Sequence, residues 1–269
     1  MTFDARESAD LGGAPLLLFD FWRQSVHWCY TTADRAVTWQ NQVYVPIAID
    51  MDAIQATQEI RQQTRTITAP RDLPVAQQFQ LTPPTDPVNL RVWSMHNGDT
   101  DAEVEWNGRV SQVSWSGSVV KLSCDPISAG FRVLGQRLRW CRGCPYALYG
   151  DGCGVDAEAH KVVSPITAVS GTTLQSVAFQ TLPDGRFTGG FISWSNADGI
   201  IDHRSIESHV GTSIVIDAQS PDFVGGLQLN AYPGCNKTTT DCTYYDNLPN
   251  FGGAPDIPDQ NPTDGSIIF

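Results

Sequence analysis

Short runs of alternating apolar and polar residues, broken by Gly, Pro, Asn and Ser, dominate this chain and predict strands joined by tight turns. Residues 15–22 and 41–48 read as strands, and Val88, Leu90 and Val92 alternate as one face of a half-buried strand does. Two hairpins are expected close together. Val104-Glu105-Trp106, Asn107-Gly108, Arg109-Val110 has the two-residue turn signal of type I′. Val113-Ser114-Trp115, Ser116-Gly117, Ser118-Val119-Val120 repeats the device. Residues 50–63 carry Gln and Glu without regular apolar spacing and are read as strand and loop. Ile127, Phe131, Leu134 and Leu138 approach helical spacing and predict a short helix or connector over 126–140. Beyond Cys153, the segments 161–169, 172–180, 187–194 and 212–217 are short β runs between turns. No repeat of fixed period is present. The expected fold is mainly β: a barrel-like domain over residues 1–125, then a β-rich domain over 126–269 with an extended acidic tail.

Composition agrees with that class. Twenty-three Gly and 17 Pro favour strands and turns over helices. Apolar residues at 41% and charged residues at 17% suit a chain of 269 residues with a real core. The net charge of −12 argues against a nucleic-acid-binding surface. The longest apolar run, Pro15–Phe19, ends at Asp20, far short of the ~20 residues needed to cross a bilayer. The first ten residues lack the basic segment of a secretory signal, so folding in a reducing cytosol is expected, where cysteines serve metals more often than disulfides. The last basic residue is Lys237, and five aspartates and four prolines follow it.

Of the seven cysteines, four form two clips, Cys144…Cys153 and Cys235…Cys242, separated by residues 154–234. Four thiolates can close a tetrahedral zinc site or hold a cubane iron–sulfur cluster. Eight and six intervening residues are wider than zinc-knuckle pairs. Cys141-Arg-Gly-Cys144 has the tight spacing but stands alone. Spacing therefore leaves zinc and cluster both open. Arg132, Arg137, Arg139 and Arg142 could offset the negative charge of a thiolate-bound cluster, or form a solvated or partner-facing patch. Cys29 and Cys124 read as small buried hydrophobes. His27, His96 and His160 show no paired ligand spacing. Asp202, His203, Ser205 and His209 are the kind of polar set that any alternating strand produces. The Gly-Gly pairs at 189–190, 225–226 and 252–253 lack the strand–turn–helix context of a phosphate loop.

The string Cys144-Pro-Tyr-Ala-Leu-Tyr-Gly-Asp-Gly-Cys153-Gly-Val-Asp, with Gly234-Cys235-Asn-Lys-Thr, Cys242 and Asn250-Phe251-Gly252-Gly253-Ala254-Pro255-Asp256-Ile257-Pro258, resembles the tail-tip hub proteins of long-tailed phages. That group includes the minor tail protein L of lambda-like phages and the hub protein of gene transfer agents. The resemblance is specific in the C-terminal half and looser in the N-terminal half, at Trp28–Thr32 and Tyr44–Pro46. It implies a structural virion protein rather than an enzyme, a tail-tip or baseplate hub assembled in the host cytoplasm as a ring, homotrimeric by this likeness. It also implies a [4Fe–4S] cluster held as a structural staple by Cys144, Cys153, Cys235 and Cys242, with zinc as the alternative metal. Cys141 is an extra thiol, and either it or Cys144 could be the first ligand. Implied partners are copies of itself, a distal tail or tube protein, a central tail-tip protein and a tail-associated cell-wall peptidase. Trp22, Trp28, Trp39 and Trp93 are candidate ring contacts. The competing reading from another class is a cytosolic iron–sulfur or zinc enzyme such as an oxidoreductase; a disulfide-bonded secreted β protein is a third.

Overall fold

The computed structural model describes residues 15–53, 64–99, 101–132 and 140–257. It is mainly β, with curled sheets including a half-barrel. The chain divides into two compact units, Met1–Leu134 with Ser195–Asp202, and Gly135–Trp194 with His203–Phe269.

The first unit is built on β1 (Pro15–Arg23), β2 (Val26–Thr31), β3 (Val37–Trp39), β4 (Gln42–Pro46), β5 (Asp50–Met51), β6 (Arg65–Pro70), β7 (Asn89–His96), β8 (Ala102–Ser116) and β9 (Val119–Pro126). They form one nine-stranded sheet in the order β3-β4-β2-β1-β7-β8-β9-β6-β5. Its strand pairs are antiparallel except β2 with β4, where Tyr30 faces Val45. β1 is apolar on both faces because both are covered. Phe19 and Phe21 enter the main core with Leu90, Val92, Leu122 and Cys124, while Leu16 and Leu18 join Cys29, Tyr44 and Met95 on the opposite face. A single helical turn, α1 (Pro74–Gln77), starts on a proline and buries Val75 and Ala76 in the main core. The Arg23 guanidinium is buried and pairs with Asp202, so its charge is compensated where it lies.

One expected hairpin is absent. Asn107-Gly108 is not a turn: β8 runs unbroken from Ala102 to Ser116. Gly108 faces Leu90 on one side and Pro126 on the other, and a Cβ there would collide with the Asp125 carbonyl and the Trp106 ring. Close approach of neighbouring groups, not left-handed backbone, accounts for this glycine. The second hairpin is present with its turn one residue later than expected, at Gly117-Ser118. Trp115 pairs with Val120, and Gly117 has φ of +60° at the first central position, the position glycine takes in a type II′ turn. Of the 126–140 connector, Ile127–Arg132 is a 3-10 turn rather than an α-helix. Leu134, Leu138, Arg137, Arg139, most of 50–63 and the acidic tail beyond 257 lie outside the described residues.

The second unit carries a seven-stranded sheet, ordered β10-β16-β13-β14-β15-β12-β11. Its strands are β10 (Val162–Pro165), β11 (Ala168–Ser170), β12 (Thr173–Gln175), β13 (Phe191–Ser195), β14 (Ile201–Val210), β15 (Ser213–Ile216) and β16 (Gln228–Tyr232). Part of the expected run 172–180 is instead a 3-10 turn, Val177–Thr181, capped by the Ser176 hydroxyl. Phe179, Phe187, Ile192, Trp194, Ile206 and Ile214 form the core. Residues 140–157 and 233–257 carry little regular structure beyond a short helix, α2 (Thr239–Tyr244).

Candidate metal centre

The two cysteine clips belong to these irregular segments. The first, residues 144–153, is a chain of turns in which the Gly150 N–H donates to the Ala147 carbonyl at 3.1 Å and the Cys153 N–H to the Gly150 carbonyl at 2.9 Å. Tyr149 roots it: its ring meets Phe191, Tyr232 and Tyr245 edge-on at 6.0–6.2 Å, and its hydroxyl donates to the Pro233 carbonyl at 2.8 Å. Burial and the neighbouring Tyr245 push the Tyr149 phenol upward, so it stays a neutral donor. Tyr146 lies against two glycines. A Cβ on Gly152 would sit 2.6 Å from its ring, and one on Gly252 would overlap it. This contact explains why the first clip needs glycine before Cys153 and why the Asn-Phe-Gly-Gly motif accompanies it.

The second clip is shaped by α2. The Thr238 side chain caps it, accepting from the Asp241 N–H at 3.2 Å. Asp241 then organises the loop with its buried carboxylate, accepting from the Asn236 N–H at 2.6 Å and from Arg186 at 2.9 Å. The Arg186 guanidinium is 3.5 Å from the centroid of the Tyr244 ring.

Backbone ties join the two clips. The Cys144 N–H donates to the Lys237 carbonyl at 2.9 Å, and the Lys237 ammonium bonds the Tyr146 carbonyl. The Ala254 N–H donates to the Cys141 carbonyl at 2.9 Å and Arg142 Nε to the Pro255 carbonyl at 3.1 Å, strapping the Gly-Gly segment beside the first clip. Gly253 is required there, since a Cβ would meet the Arg142 carbonyl at 2.6 Å.

These ties bring Cys144, Cys153, Cys235 and Cys242 to the lining of one recess. Cys141 is exposed, donates its thiol to the Gly143 carbonyl at 3.0 Å, and is not among the recess residues. All seven cysteines are free thiols. Burial, then the neighbouring sulfurs of Cys153, Cys144 and Cys235, pushes the Cys242 thiol upward; burial is the main cause at Cys235 too. Two donors point at the sulfurs: the Lys237 N–H toward Cys235 Sγ at 3.4 Å and Asn247 Nδ2 toward Cys153 Sγ at 3.5 Å. Asn247 is a positioning group that cysteine spacing does not reveal. It also donates to the Cys153 carbonyl at 2.7 Å.

The donor set fits a four-thiolate centre. A single zinc with Zn–S of about 2.3 Å holds its sulfurs roughly 3.8 Å apart. Among the described residues, no three of these four sulfurs lie within 4.8 Å of one another; the one set of three ligand atoms that does is Asp20, His27 and Cys29. The same thiols, with two N–H donors directed at sulfur, are compatible with zinc and with a cluster.

The remaining candidates fall elsewhere. Asp202 is engaged by Arg23, and His209 is buried with Nε2 3.1 Å from the Gly211 carbonyl and its ring on Phe187. His203 packs on Phe191, and His160 meets Tyr245 edge-on at 4.9 Å. Cys124 is fully buried in the main core, and His96 is buried at the end of β7. Trp22, Trp28, Trp39 and Trp93 are half-buried rather than exposed.

A protein-family model described as a phage conserved hypothetical protein, BR0599, matches residues 185–261, which include the second clip and the Asn-Phe-Gly-Gly segment. An uncharacterized protein of Xylella fastidiosa (strain 9a5c) is 32% identical over 181 residues, 62% of this chain, and the match spans 38% of that relative. In three dimensions the chain is similar to one in the virion of a native gene transfer agent particle, with a TM-score of 0.83 at 17% identity, covering 100% of this chain and 98% of the other. At that identity the likeness is one of fold. No helix among the described residues is long and apolar enough to cross a membrane.

Proposed function

We propose that this chain is a structural virion protein of a long-tailed phage or related particle. In this reading it is the tail-tip or baseplate hub, made in the host cytoplasm and assembled as a homotrimeric ring between a distal tail or tube protein and a central tail-tip protein. The first unit is the hub domain and the second the cluster domain. Cys144, Cys153, Cys235 and Cys242 hold a [4Fe–4S] cluster whose chemistry here is cross-linking, not turnover. One observation carries the reading: four sulfurs from clips remote in sequence line a single recess. The phage-family match over the second clip and the virion fold likeness support the context.

The protein supplies a donor set, N–H hydrogen bonds to sulfur, and a Tyr146 ring packed against Gly152 and Gly252. Ligation couples directly to folding, on the order of 10 kcal/mol for structural zinc sites, so such a centre would order segments that have little apolar core. Anaerobic purification tests the proposal. Brown protein with broad visible absorption and iron and sulfide in equal amounts is expected; colourless protein with stoichiometric zinc would overturn the cluster. A protein that never co-assembles with tail components would overturn the hub assignment.

A further inference from the structure

A second set of ligand atoms converges in the first unit, on the sheet face that carries Leu16 and Leu18. Asp20 of β1 and Cys29 of β2 are direct cross-strand partners, and His27 lies two residues along β2, so the two-residue period puts all three on one face. His27 Nδ1 is 2.8 Å from Asp20 Oδ1, and Cys29 Sγ is 3.7 Å from the same oxygen. The three ligand atoms lie within 4.8 Å of one another. Imidazole, thiolate and carboxylate together are the donor set of zinc-class divalent ions.

The surroundings hold these groups in place. The His27 ring stacks nearly parallel on Trp22, 16° between planes with centroids 6.3 Å apart. Arg91, the cross-strand partner of Asp20 on β7, has its guanidinium over the rings of Trp22 and Trp93 at 5.4 and 5.5 Å. Cys29 is buried, Asp20 nearly so, and His27 has about a third of its side chain exposed, at 34%. Ligand atoms at the base and an imidazole at the rim leave an approach from solvent.

We propose that Asp20, His27 and Cys29 form a zinc-class metal site, with three protein ligands and a fourth position open to water or an incoming ligand. Closed structural zinc sites use four protein ligands; three with an open position is the arrangement that accepts an exogenous one. The site is independent of the four-cysteine recess and stands if that recess holds no cluster.

Cobalt(II), a spectroscopic stand-in for zinc, tests this on the full-length chain through thiolate-to-cobalt charge-transfer absorption. Wild type, Cys235→Ser, His27→Ala and Asp20→Asn are titrated in parallel, with metal-free melting temperatures as the check on folding. A saturable band is expected in wild type and in Cys235→Ser. Outer-shell partners alone are worth 10–100-fold in metal affinity, so removing His27 or Asp20 should weaken binding by more than about 100-fold. A band kept in both His27→Ala and Asp20→Asn but lost in Cys235→Ser would assign the ion to the four-cysteine recess and overturn the proposal. The absence of any saturable band up to millimolar cobalt would overturn it as well.

Discussion

The two units solve the same problem with different means. In the first, apolar side chains pack on both faces of β1 within a nine-stranded sheet, with Leu18, Phe19, Phe21, Val92 and Leu122 fully buried. Burial of this kind contributes roughly 1.5–3 kcal/mol per large side chain. The second unit has such a core only within its sheet. Around the clips, buried aliphatic residues give way to glycine–aromatic contacts, backbone ties and cysteine sulfurs. Where apolar surface is scarce, order has to come from specific short-range contacts, and each of those depends on one atom position. The first unit should therefore tolerate change gradually, and the clip region abruptly.

The largest expected effect comes from the sulfurs. If the cluster holds the clips, Cys242→Ser should release the ordering it supplies, of order 10 kcal/mol by comparison with structural zinc. Hydrogen exchange would then speed up over 141–157 and 235–257 while β1, β7 and β8 keep their protection. Equal protection in both regions would break the contrast between the units. Arg186→Ala comes next. It leaves the buried Asp241 carboxylate without its counter-charge and removes the stack on Tyr244, so a loss of about 2–4 kcal/mol is expected in denaturant unfolding of the second unit. Gly252→Ala forces a methyl into the Tyr146 ring, with an expected cost of about 1–3 kcal/mol read as a lowered Tm.

The smallest effect is a matter of pH. The Glu158 carboxyl is held below its ordinary value by Lys161 and then by the Tyr232 hydroxyl. A depressed carboxyl contributes stability that is present above its unfolded pKa, near 4.5, and lost as pH falls through the folded value. The Tm difference between wild type and Glu158→Gln should therefore be greatest near neutrality and vanish in acid; a pH-independent difference would show that the pair contributes nothing through charge.

The β character, the Gly117 hairpin and the two cysteine clips were all readable along the chain, because each is a local pattern. Asn107-Gly108 misled for a physical reason: a glycine demanded by the close approach of Trp106 and Asp125 carries the same letters as one demanded by a turn. The short α2 helix was hidden because its six residues are too few to show a helical period. Asn247 and Arg186 act on the clips through contacts that no spacing encodes.

By itself, the order of residues determined which segments could be strands, where many turns fall, and that four thiols come in two pairs. Those properties depend on neighbours a few positions apart. Only the tertiary structure decided that Cys144, Cys153, Cys235 and Cys242 share one recess while Cys141 stays outside, and that Asp20 meets His27 and Cys29 on one sheet face. Both facts depend on register and on loops that fold back across the chain, and register is set by packing of whole sheets rather than by any single stretch of sequence.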